Sequence, residues 1–421
     1  MQIKNFSSLR QFFPVFRKIG ESNNSINRSI SESLNPEMII ALDNAATTQK
    51  PQQVIDRIAD YYTYENASVH RGLYAKAEHA TQLYEQARAE IANYIGAYPD
   101  EIVFVRGATE GINFVAATWA TKNLVKGDEI ILSELEHNAN VLPWLHLVET
   151  LGIKVRFIPI TEAGDLDYQA FQNLINEKTK LVSITHRANS IGVRVNLDLI
   201  INKAKENNIA VLVDAAQTVS HEKIDVSKMK PDFLVFSAHK ILGPTGIGAL
   251  YVSRAIQETT PPYQFGGGMV LRMDTPTISW LKAPHKYEAG TPAIASALGF
   301  AEGIRFINEH IDFDLLNIHQ KKLSSIVISG LQTIKNIKIL GPVDRLVDSP
   351  IISFHSTVFH SHDIAAYLDQ FNIAVRAGNQ CAQTLYNKLK IPGSVRISTY
   401  FYNTADEIEF LLSKLEELFG K

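Results

Sequence analysis

The sequence has a single cysteine, Cys381, and little of the composition that marks disordered or fibrous chains. One thiol cannot form a disulfide within the chain or a multi-thiolate metal site, so the fold does not depend on covalent cross-links. Gly and Pro account for only 23 and 16 of 421 residues, and apolar residues make up 45%, which is typical of a globular protein. Because a lone thiol fits a reducing compartment, we expect a cytoplasmic protein.

A large net charge and long apolar runs are also missing. The chain has 41 Lys+Arg against 44 Asp+Glu, a formal net charge of −3, so its electrostatics indicates no nucleic-acid partner. No stretch approaches the roughly 18 apolar residues of a membrane span, so we expect no membrane partner. The basic, acid-poor start of the chain predicts a short helix over 6–16 packed on the body, with an organelle transit peptide as the alternative.

Short β-branched runs alternate with helical patterns through the first part of the chain. The runs cover residues 101–105, 129–133, 154–160, 180–185, 210–214, 233–237 and 247–252. They are apolar throughout, and the segments between them are long enough for crossover helices. This pattern predicts an α/β fold with a mostly parallel seven-stranded sheet buried on both faces.

The alternation of strand and helix patterns ends at about residue 300. Strand-like runs lie at 351–354, 373–376 and 394–399, helical periodicity surrounds Leu323–Leu331, and a capping box at Thr404–Glu407 begins a final helix. We therefore predict a smaller α+β domain in this part of the chain. The resulting division is an N-terminal helix and Ser/Asn-rich loop over 1–37, a large domain over 38–300 and a small domain over 301–421.

Polar residues follow several of the predicted strands, at the sheet edge where α/β proteins bind ligands. Residues 106–113 place glycines and a hydroxyl before a helix, a suitable cradle for a phosphate. Asp214 ends one strand and Lys240 follows the next. A lysine for the Schiff base, an acid for the ring nitrogen and a helix N-terminus for the phosphate are what pyridoxal phosphate needs. Each residue alone is commonplace, but together they predict a pyridoxal-phosphate site.

The motifs around these residues resemble those of SUF-type cysteine desulfurases and selenocysteine lyases, which are class V, fold-type I pyridoxal-phosphate enzymes. The resemblance extends from Leu42 to the C-terminus. The matching motifs are LDNAATTQKP (42–51), VHRG (69–72), VRGATEGIN (105–113), EHNAN (136–140), VDAAQ (213–217), FSAHKILGPTGIG (236–248), EAGTP (288–292) and VRAGNQCA (375–382). The resemblance implies a fold-type I transferase with a large domain around the seven-stranded sheet and a smaller α+β domain.

The resemblance also implies roles for individual residues. It implies Cys381, Lys240 and His137 as the catalytic residues and Lys240 as the Schiff-base lysine. The implied cofactor-binding residues are Lys240, Asp214 at the ring nitrogen, Gln217 at the ring hydroxyl, His137 stacked on the ring, and Ala108, Thr109, Ser237, His239 and Thr291 around the phosphate, with Thr291 acting across a homodimer. The implied substrate-binding residues are Arg396 and Asn189 at the carboxylate, Arg376 beside the nucleophile, and His70 reaching a neighbouring chain's site. No metal is implied.

The implied reaction converts L-cysteine to L-alanine and leaves a persulfide on Cys381. An acceptor protein of the SUF or CSD type then collects this sulfur for iron–sulfur cluster assembly. L-selenocysteine and cysteine sulfinate are alternative substrates. Two other interpretations stay open: a lyase in which Cys381 is dispensable, and a non-catalytic relative that acts as a scaffold.

Some features depart from this pattern or invite other interpretations. Asn379 and Gln380 stand where relatives carry histidine, which weakens a local acid/base role. Arg187 is unusual beside the cofactor motifs, and we expect it to point outward, with an effect on substrate preference as the alternative. The glycines at 266–268 predict a hairpin or a mobile loop. The histidines at 355, 360 and 362 lack nearby thiolates and carboxylates and are expected to be solvent-exposed rather than metal-bound.

Overall fold

The computed structural model describes residues 6–16 and 39–420 and contains four β-sheets. The strands are β1 (Ile40–Ala41), β2 (Ile102–Val105), β3 (Glu129–Ser133), β4 (Lys154–Ile158), β5 (Thr179–Thr185), β6 (Ala210–Asp214), β7 (Phe233–Ser237), β8 (Gly248–Val252), β9 (Val270–Asp274), β10 (Thr277–Trp280), β11 (Ile337–Leu340), β12 (Ile351–Ser356), β13 (Ile373–Ala374), β14 (Arg376–Gly378) and β15 (Ser394–Ser398).

The α-helices connect and cover these strands. They are α1 (Gln52–Asp60), α2 (Ala75–Tyr94), α3 (Ala108–Val115), α4 (Thr121–Asn123), α5 (Leu142–Leu151), α6 (Tyr168–Leu174), α7 (Leu197–Glu206), α8 (Val226–Met229), α9 (Arg254–Gln257), α10 (Ile294–His310), α11 (Phe313–Thr333), α12 (Ser361–Asp369), α13 (Gln383–Leu389) and α14 (Ala405–Phe419). Within the described ranges, no helix is both long and apolar enough to cross a bilayer.

Short helical turns complete the secondary structure. The 3₁₀ turns are Phe6–Phe12, Pro14–Phe16, Pro99–Glu101, Asn138–Asn140, Ala238–Lys240, His285–Tyr287 and Val343–Arg345, and π-helical segments cover Tyr61–Glu65 and Ala116–Ala120. The π segment at Ala116–Ala120 joins α3 to α4 in one continuous helix.

The large sheet has seven strands in the order β2-β8-β7-β6-β5-β3-β4. Strand β8 is antiparallel to both of its neighbours, and the other pairs are parallel. The predicted mostly parallel seven-stranded sheet is therefore confirmed. Because β5, β6 and β7 run in parallel, their carboxyl ends at Thr185, Asp214 and Ser237 meet at one edge.

Strand β4 departs from the prediction that every run is buried on both faces. It lies at the edge of the sheet, and its residues alternate between exposed and partly buried from Lys154 to Phe157. An edge strand has a neighbour on one side only, so charged side chains such as Lys154 and Arg156 reach solvent. The central strands β3, β6 and β7 carry the buried apolar pattern that the sequence predicts.

A second sheet of four antiparallel strands has the order β11-β12-β15-β14. Helix α11 packs against its strands, and the capping box at Thr404–Glu407 begins α14 as predicted. Strand β1 pairs in parallel with β13, and Asp43 forms a bridge with Ser398 at the end of β15. The LDNAATTQKP motif thus lies against the C-terminal part of the chain.

The predicted basic helix over 6–16 is two 3₁₀ turns separated at Phe13. Pro14 lacks the backbone N–H that a continuous helix would need at this position. Phe6, Leu9, Phe13 and Phe16 are buried, so the segment packs on the body as expected. The Ser/Asn-rich loop at 21–36 lies outside the described residues, and the division at 37/38 and 300/301 stays a prediction.

The glycines at 266–268 precede an antiparallel hairpin of β9 and β10. The hairpin that the sequence offered as one alternative is therefore present. It exposes Leu271, Met273 and Ile278, while Phe265 and Trp280 pack with ring centroids 5.7 Å apart at its base.

Candidate active site

A cavity of about 270 Å³ lies between the seven-stranded and the four-stranded sheet, at the carboxyl ends of β5, β6 and β7. All predicted site residues except Thr291 and His70 line it. These are Ala108, Thr109, His137, Asn189, Asp214, Gln217, Ser237, His239, Lys240, Arg376, Cys381 and Arg396. The large sheet and its loops supply one wall, and Arg376 and Arg396 come from β14 and β15 of the small sheet.

The beginning of α3 forms a cradle for an anion. The N–H of Ala108 donates a hydrogen bond of 2.9 Å to Ser237 Oγ, which ties α3 to the end of β7. The backbone here is tightly packed, since a Cβ at Gly248 would lie 2.7 Å from the Cα of Gly107. Thr109 occupies the first turn of the helix, where free N–H groups and the helix dipole favour negative charge.

Lys240 and Asp214 both line the cavity and interact electrostatically. Lys240 ends the 3₁₀ turn that follows β7, and Asp214 ends β6. Burial lowers the pKa of Lys240 to about 8, and the Asp214 charge opposes this shift. Burial raises the pKa of Asp214, although the Ala216 N–H, 2.9 Å from Oδ1, and Lys240 favour its ionised form. The lysine therefore has a substantial neutral fraction near neutral pH.

His137 is held as a neutral ring. Its Nδ1 accepts a hydrogen bond of 3.0 Å from the N–H of Ala139, so the neutral tautomer carries its proton on Nε2. Burial, with smaller contributions from Lys240 and Arg396, lowers the pKa of His137 to about 4. A neutral imidazole in this cavity presents a flat face and one N–H donor.

Arg396 and Asn189 form a polar corner. Arg396 is buried; one terminal nitrogen donates to the Asn189 carbonyl at 2.8 Å and the other to Asp43 Oδ1 at 3.0 Å. Within the described part of the chain, Arg396 Nε and Asn189 Oδ1 are buried and have no hydrogen-bond partner. Unpaired buried polar atoms are rare in folded proteins, and both residues line the cavity. The Arg396 guanidinium therefore gives this corner a positive charge beside the cavity.

Cys381 lies on a tight loop with its side chain exposed. Gln380 and Cys381 both adopt left-handed backbone conformations, with φ of 54°. The loop is fastened to the cavity wall: Asn189 Nδ2 donates to the Gln380 carbonyl at 2.6 Å, and the Asn138 N–H donates to the Cys381 carbonyl at 2.7 Å. The thiol is thus held at the cavity by groups on both sides of it.

The LDNAATTQKP motif contains none of the predicted site residues, and the structure places several of its residues at the site. Ala45 lines the cavity, and its carbonyl accepts from Gln217 Nε2 at 2.8 Å. Lys50 Nζ donates to the His239 carbonyl at 2.9 Å, next to Lys240. Burial lowers the pKa of Lys50 to about 7. The only available signal was the motif itself, because its contacts lie far away in the sequence.

Thr291 and His70 lie outside the cavity of their own chain. Thr291 is exposed just before α10. The His70 ring centroid is 5.1 Å from that of His285, and its Nε2 is 3.7 Å from Glu85 Oε1. His70, Glu85 and His285 thus bring ligand-type atoms within 4.8 Å of one another, but Glu85 also pairs with Arg88 at 2.8 Å.

The expectation that Arg187 points outward is wrong. Its side chain is buried, forms an ion pair with Glu222 and donates to the Gly192 carbonyl at 3.3 Å. Burial of this guanidinium is tolerated because a carboxylate neutralises it.

The histidine expectation holds for two of the three residues. His360 and His362 are exposed, whereas His355 is half-buried. His355 Nδ1 lies 3.1 Å from the Gly393 carbonyl oxygen, within hydrogen-bonding distance.

Comparisons with known proteins agree with this architecture. The class-V aminotransferase family model matches residues 40–411. A probable cysteine desulfurase of Staphylococcus aureus (strain N315) is 38% identical over 390 residues, covering 92% of this chain and 94% of that protein. A cysteine desulfurase of Escherichia coli O8 is 37% identical over 391 residues, covering 92% and 95%.

Solved structures give the same result. The apo cysteine desulfurase of Thermococcus onnurineus superposes with a TM-score of 0.90 at 33% identity, covering 100% of both chains. An Escherichia coli cysteine desulfurase in an S-sulfonic acid form has a TM-score of 0.86 at 30% identity and covers 99% of this chain and 98% of its own. The chain therefore belongs to the class-V aminotransferase family of pyridoxal-phosphate enzymes, together with the cysteine desulfurases that it matches.

Proposed function

We propose that this protein is a pyridoxal-phosphate-dependent cysteine desulfurase that converts L-cysteine to L-alanine and keeps the sulfur as a persulfide on Cys381. The observation that carries this proposal is the single cavity shared by Lys240, Arg396 and Cys381. It combines an amine of lowered pKa, a carboxylate-binding group and a thiol. Relatives named cysteine desulfurase at 37–38% identity support the same activity.

The residues of the cavity fit the cofactor. Lys240 Nζ would attach it covalently, Asp214 would pair with the ring nitrogen, and the beginning of α3 with Thr109 and Ser237 would take the phosphate. When bound, pyridoxal phosphate would stabilise negative charge at the substrate α-carbon. The neutral ring of His137 supports a stacking role, because a cation there would repel an electron-poor ring.

Arg396 would orient the substrate through its α-carboxylate. Its guanidinium lines the cavity and gives one hydrogen bond from each terminal nitrogen, to the Asn189 carbonyl and to Asp43, so that a second hydrogen on each nitrogen is available to the substrate. A planar guanidinium binds a carboxylate through two parallel hydrogen bonds, which fixes the direction of the substrate as well as its position.

Lys240 would act as the base that removes the α-proton. With a pKa of about 8, its amine is partly neutral at physiological pH, whereas an ordinary lysine is almost fully charged. A base works best when its pKa lies near the working pH. Burial in the cavity is therefore what makes Lys240 suited to this step.

Cys381 would receive the sulfur. Its thiolate attacks the substrate sulfur, a sulfur–sulfur bond forms, and the bond between the substrate β-carbon and sulfur breaks. The β-carbon keeps the electron pair of that bond and takes up a proton, and a proton returns to the α-carbon from Lys240. Alanine then leaves, and the persulfide stays on the enzyme. The exposure of Cys381 supports onward transfer to an acceptor protein of the SUF or CSD type and use of the sulfur in iron–sulfur cluster assembly. A working thiol needs a reducing compartment, which we take to be the cytoplasm.

The proposal includes a homodimer in which Thr291 and His70 act at the partner's cavity. Both residues are exposed and lie outside their own cavity, and His70 contacts His285 in the segment that leads to Thr291. Mixing a Lys240→Ala chain with a Thr291→Ala chain tests this arrangement. The mixed dimer has one cavity with both residues intact, so activity should recover to a fraction of the parental value. Two chains that stay inactive when exchanged contradict it.

The paired assay that tests the activity uses the protein and Cys381→Ser, each with L-cysteine and a reductant. Cofactor colour, alanine and sulfide are measured. We expect both proteins to be yellow and only the parent to form alanine and sulfide in equal amounts. Equal amounts of product from both proteins would show that Cys381 is dispensable and would favour a lyase that acts on selenocysteine or cysteine sulfinate. A colourless parent protein would refute the proposal that this protein is a pyridoxal-phosphate enzyme.

A further inference from the structure

Two arginines of the cavity share one carboxylate. Arg376 on β14 and Arg396 on β15 are direct partners across the antiparallel ladder, and both line the cavity. Arg376 donates to Asp43 Oδ2 at 2.6 Å and to Oδ1 at 3.3 Å, and Arg396 donates to Oδ1 at 3.0 Å. Asp43 is therefore the bridge between the two guanidinium groups on this wall.

The sharing of Asp43 sets the charge that this wall offers to a ligand. Two guanidinium groups and one carboxylate leave one net positive charge, which a single substrate α-carboxylate neutralises. The other ionisable groups that line the cavity are Cys381, a thiol that supplies no cation, Lys240 and Asp214, which carry opposite charges, and the histidines at 137 and 239, which burial keeps neutral. Among the described residues of this wall, a second anionic group on the ligand would meet only Arg376, which is already paired with Asp43.

The two arginines differ in burial and in the contacts they make, and this indicates different roles. Arg396 is buried, with 4% of its side chain exposed, and gives one hydrogen bond from each terminal nitrogen, to Asn189 and to Asp43, which leaves a second hydrogen on each nitrogen for the α-carboxylate. Arg376 lines the cavity with Cys381 and is 48% exposed, but Asp43 already takes two of its donors. An acidic side chain extending toward Cys381 would therefore have to compete with Asp43 for Arg376.

We propose that Asp43 is a specificity-determining residue that makes the enzyme select amino acids with an uncharged side chain over those with an anionic one. This inference rests on the proposed function, since it assumes that Arg396 holds the α-carboxylate. By occupying Arg376, Asp43 favours cysteine over acids such as cysteine sulfinate. Removing the Asp43 charge leaves two net positive charges on the wall and frees Arg376 for an acidic side chain.

The test compares Asp43→Asn with the parent and with a matched control. Asparagine keeps the size of the side chain and one acceptor for Arg396 while removing the charge. The control is Asp100→Asn, because Asp100 also makes a two-pronged pair with an arginine, Arg254, at 2.7 and 2.8 Å, and neither residue lines the cavity. Titration calorimetry on the cofactor-loaded proteins measures binding of L-alanine, with a neutral side chain, and L-aspartate, with an acidic one.

The expected result is a change in preference. The parent should bind alanine more tightly than aspartate, and Asp43→Asn should shift the ratio of the two dissociation constants toward aspartate by about tenfold, which corresponds to about 1.4 kcal/mol. Asp100→Asn should leave the ratio unchanged. Adding Arg376→Gln to Asp43→Asn should cancel the shift, because it removes the freed guanidinium. Turnover of cysteine sulfinate relative to cysteine should follow the same order.

Several results would overturn the inference. If Asp43→Asn weakens both ligands by the same factor, Asp43 only supports Arg396 and has no part in selectivity. A parent that binds aspartate as tightly as alanine contradicts the charge argument even if the variant does not fold. A parent that binds neither ligand and forms no alanine from cysteine refutes the proposed function itself, and this inference falls with it.

Discussion

The Lys240 amine should react with pyridoxal phosphate at neutral pH much faster than an ordinary lysine amine. Only the neutral amine is a nucleophile, and the pKa of Lys240 is lowered to about 8 because the side chain is buried. At pH 7.5 a group with that pKa is about 24% neutral, against about 0.1% for a lysine near 10.5. The neutral fraction is therefore larger by roughly 240-fold.

The assay mixes apoprotein with pyridoxal phosphate for a few seconds at pH values from 6 to 10, traps the adduct with borohydride and quantifies labelled peptides by mass spectrometry. Labelling of Lys240 should rise with pH through a midpoint near 8, because the reactive form is the deprotonated one. Peptide mapping separates Lys240 from Lys50, whose pKa of about 7 would otherwise overlap. Lys240→Ala serves as the control and should lack the labelled peptide.

The variant Asp214→Asn tests the direction in which the Asp214 charge shifts the pKa of Lys240. The Asp214 carboxylate raises the pKa of Lys240 against the effect of burial, so removing its charge should move the midpoint below that of the parent. A parental midpoint near 10, or an upward shift in the variant, would refute the reasoning that burial and the Asp214 charge set the reactivity of this amine.

Two further predictions concern stability. Glu288 accepts hydrogen bonds from buried Arg88 at 2.6 and 2.9 Å, so Glu288→Gln should lower the free energy of unfolding by about 3 kcal/mol. Asp100→Asn breaks an exposed pair with Arg254 and should lower it by less than about 1 kcal/mol. Equal denaturant midpoints for the two variants would contradict this prediction. Thr404 Oγ1 accepts from the Glu407 N–H at 3.2 Å, so Thr404→Ala should cost about 1 kcal/mol in the same denaturant titration, while an unchanged midpoint would show that the cap contributes nothing measurable.

The local pattern of the sequence was sufficient for the central strands. The predicted runs at 129–133, 210–214 and 233–237 coincide with β3, β6 and β7. Each is a continuous apolar run with polar residues at or just after its end, and this is what burial on both faces of a parallel sheet requires. The placement of Asp214 and Lys240 at neighbouring strand ends follows from the same pattern.

Residues at sheet edges and inside interfaces were less predictable. The run that forms β4 contains several apolar residues, but the strand lies at the edge of the sheet. Arg187 is charged, but it is buried against Glu222. Neither the exposure of β4 nor the burial of Arg187 can be predicted from the neighbouring residues in the sequence, because burial depends on which segment packs next to the residue. The signal for Arg187 would have been a matching acid, and Glu222 lies 35 residues away.

The sequence by itself determined the α/β class, the strand-end chemistry and the motifs that place the chain among pyridoxal-phosphate enzymes. Only the tertiary structure decided that Asp43 joins Arg376 and Arg396, which lie 333 and 353 residues further along the chain. It also decided that Thr291 and His70 lie outside the cavity of their own chain. The physical reason is that strand pattern and capping are set by neighbours in sequence, whereas charge pairing across a cavity depends on how two sheets pack against each other.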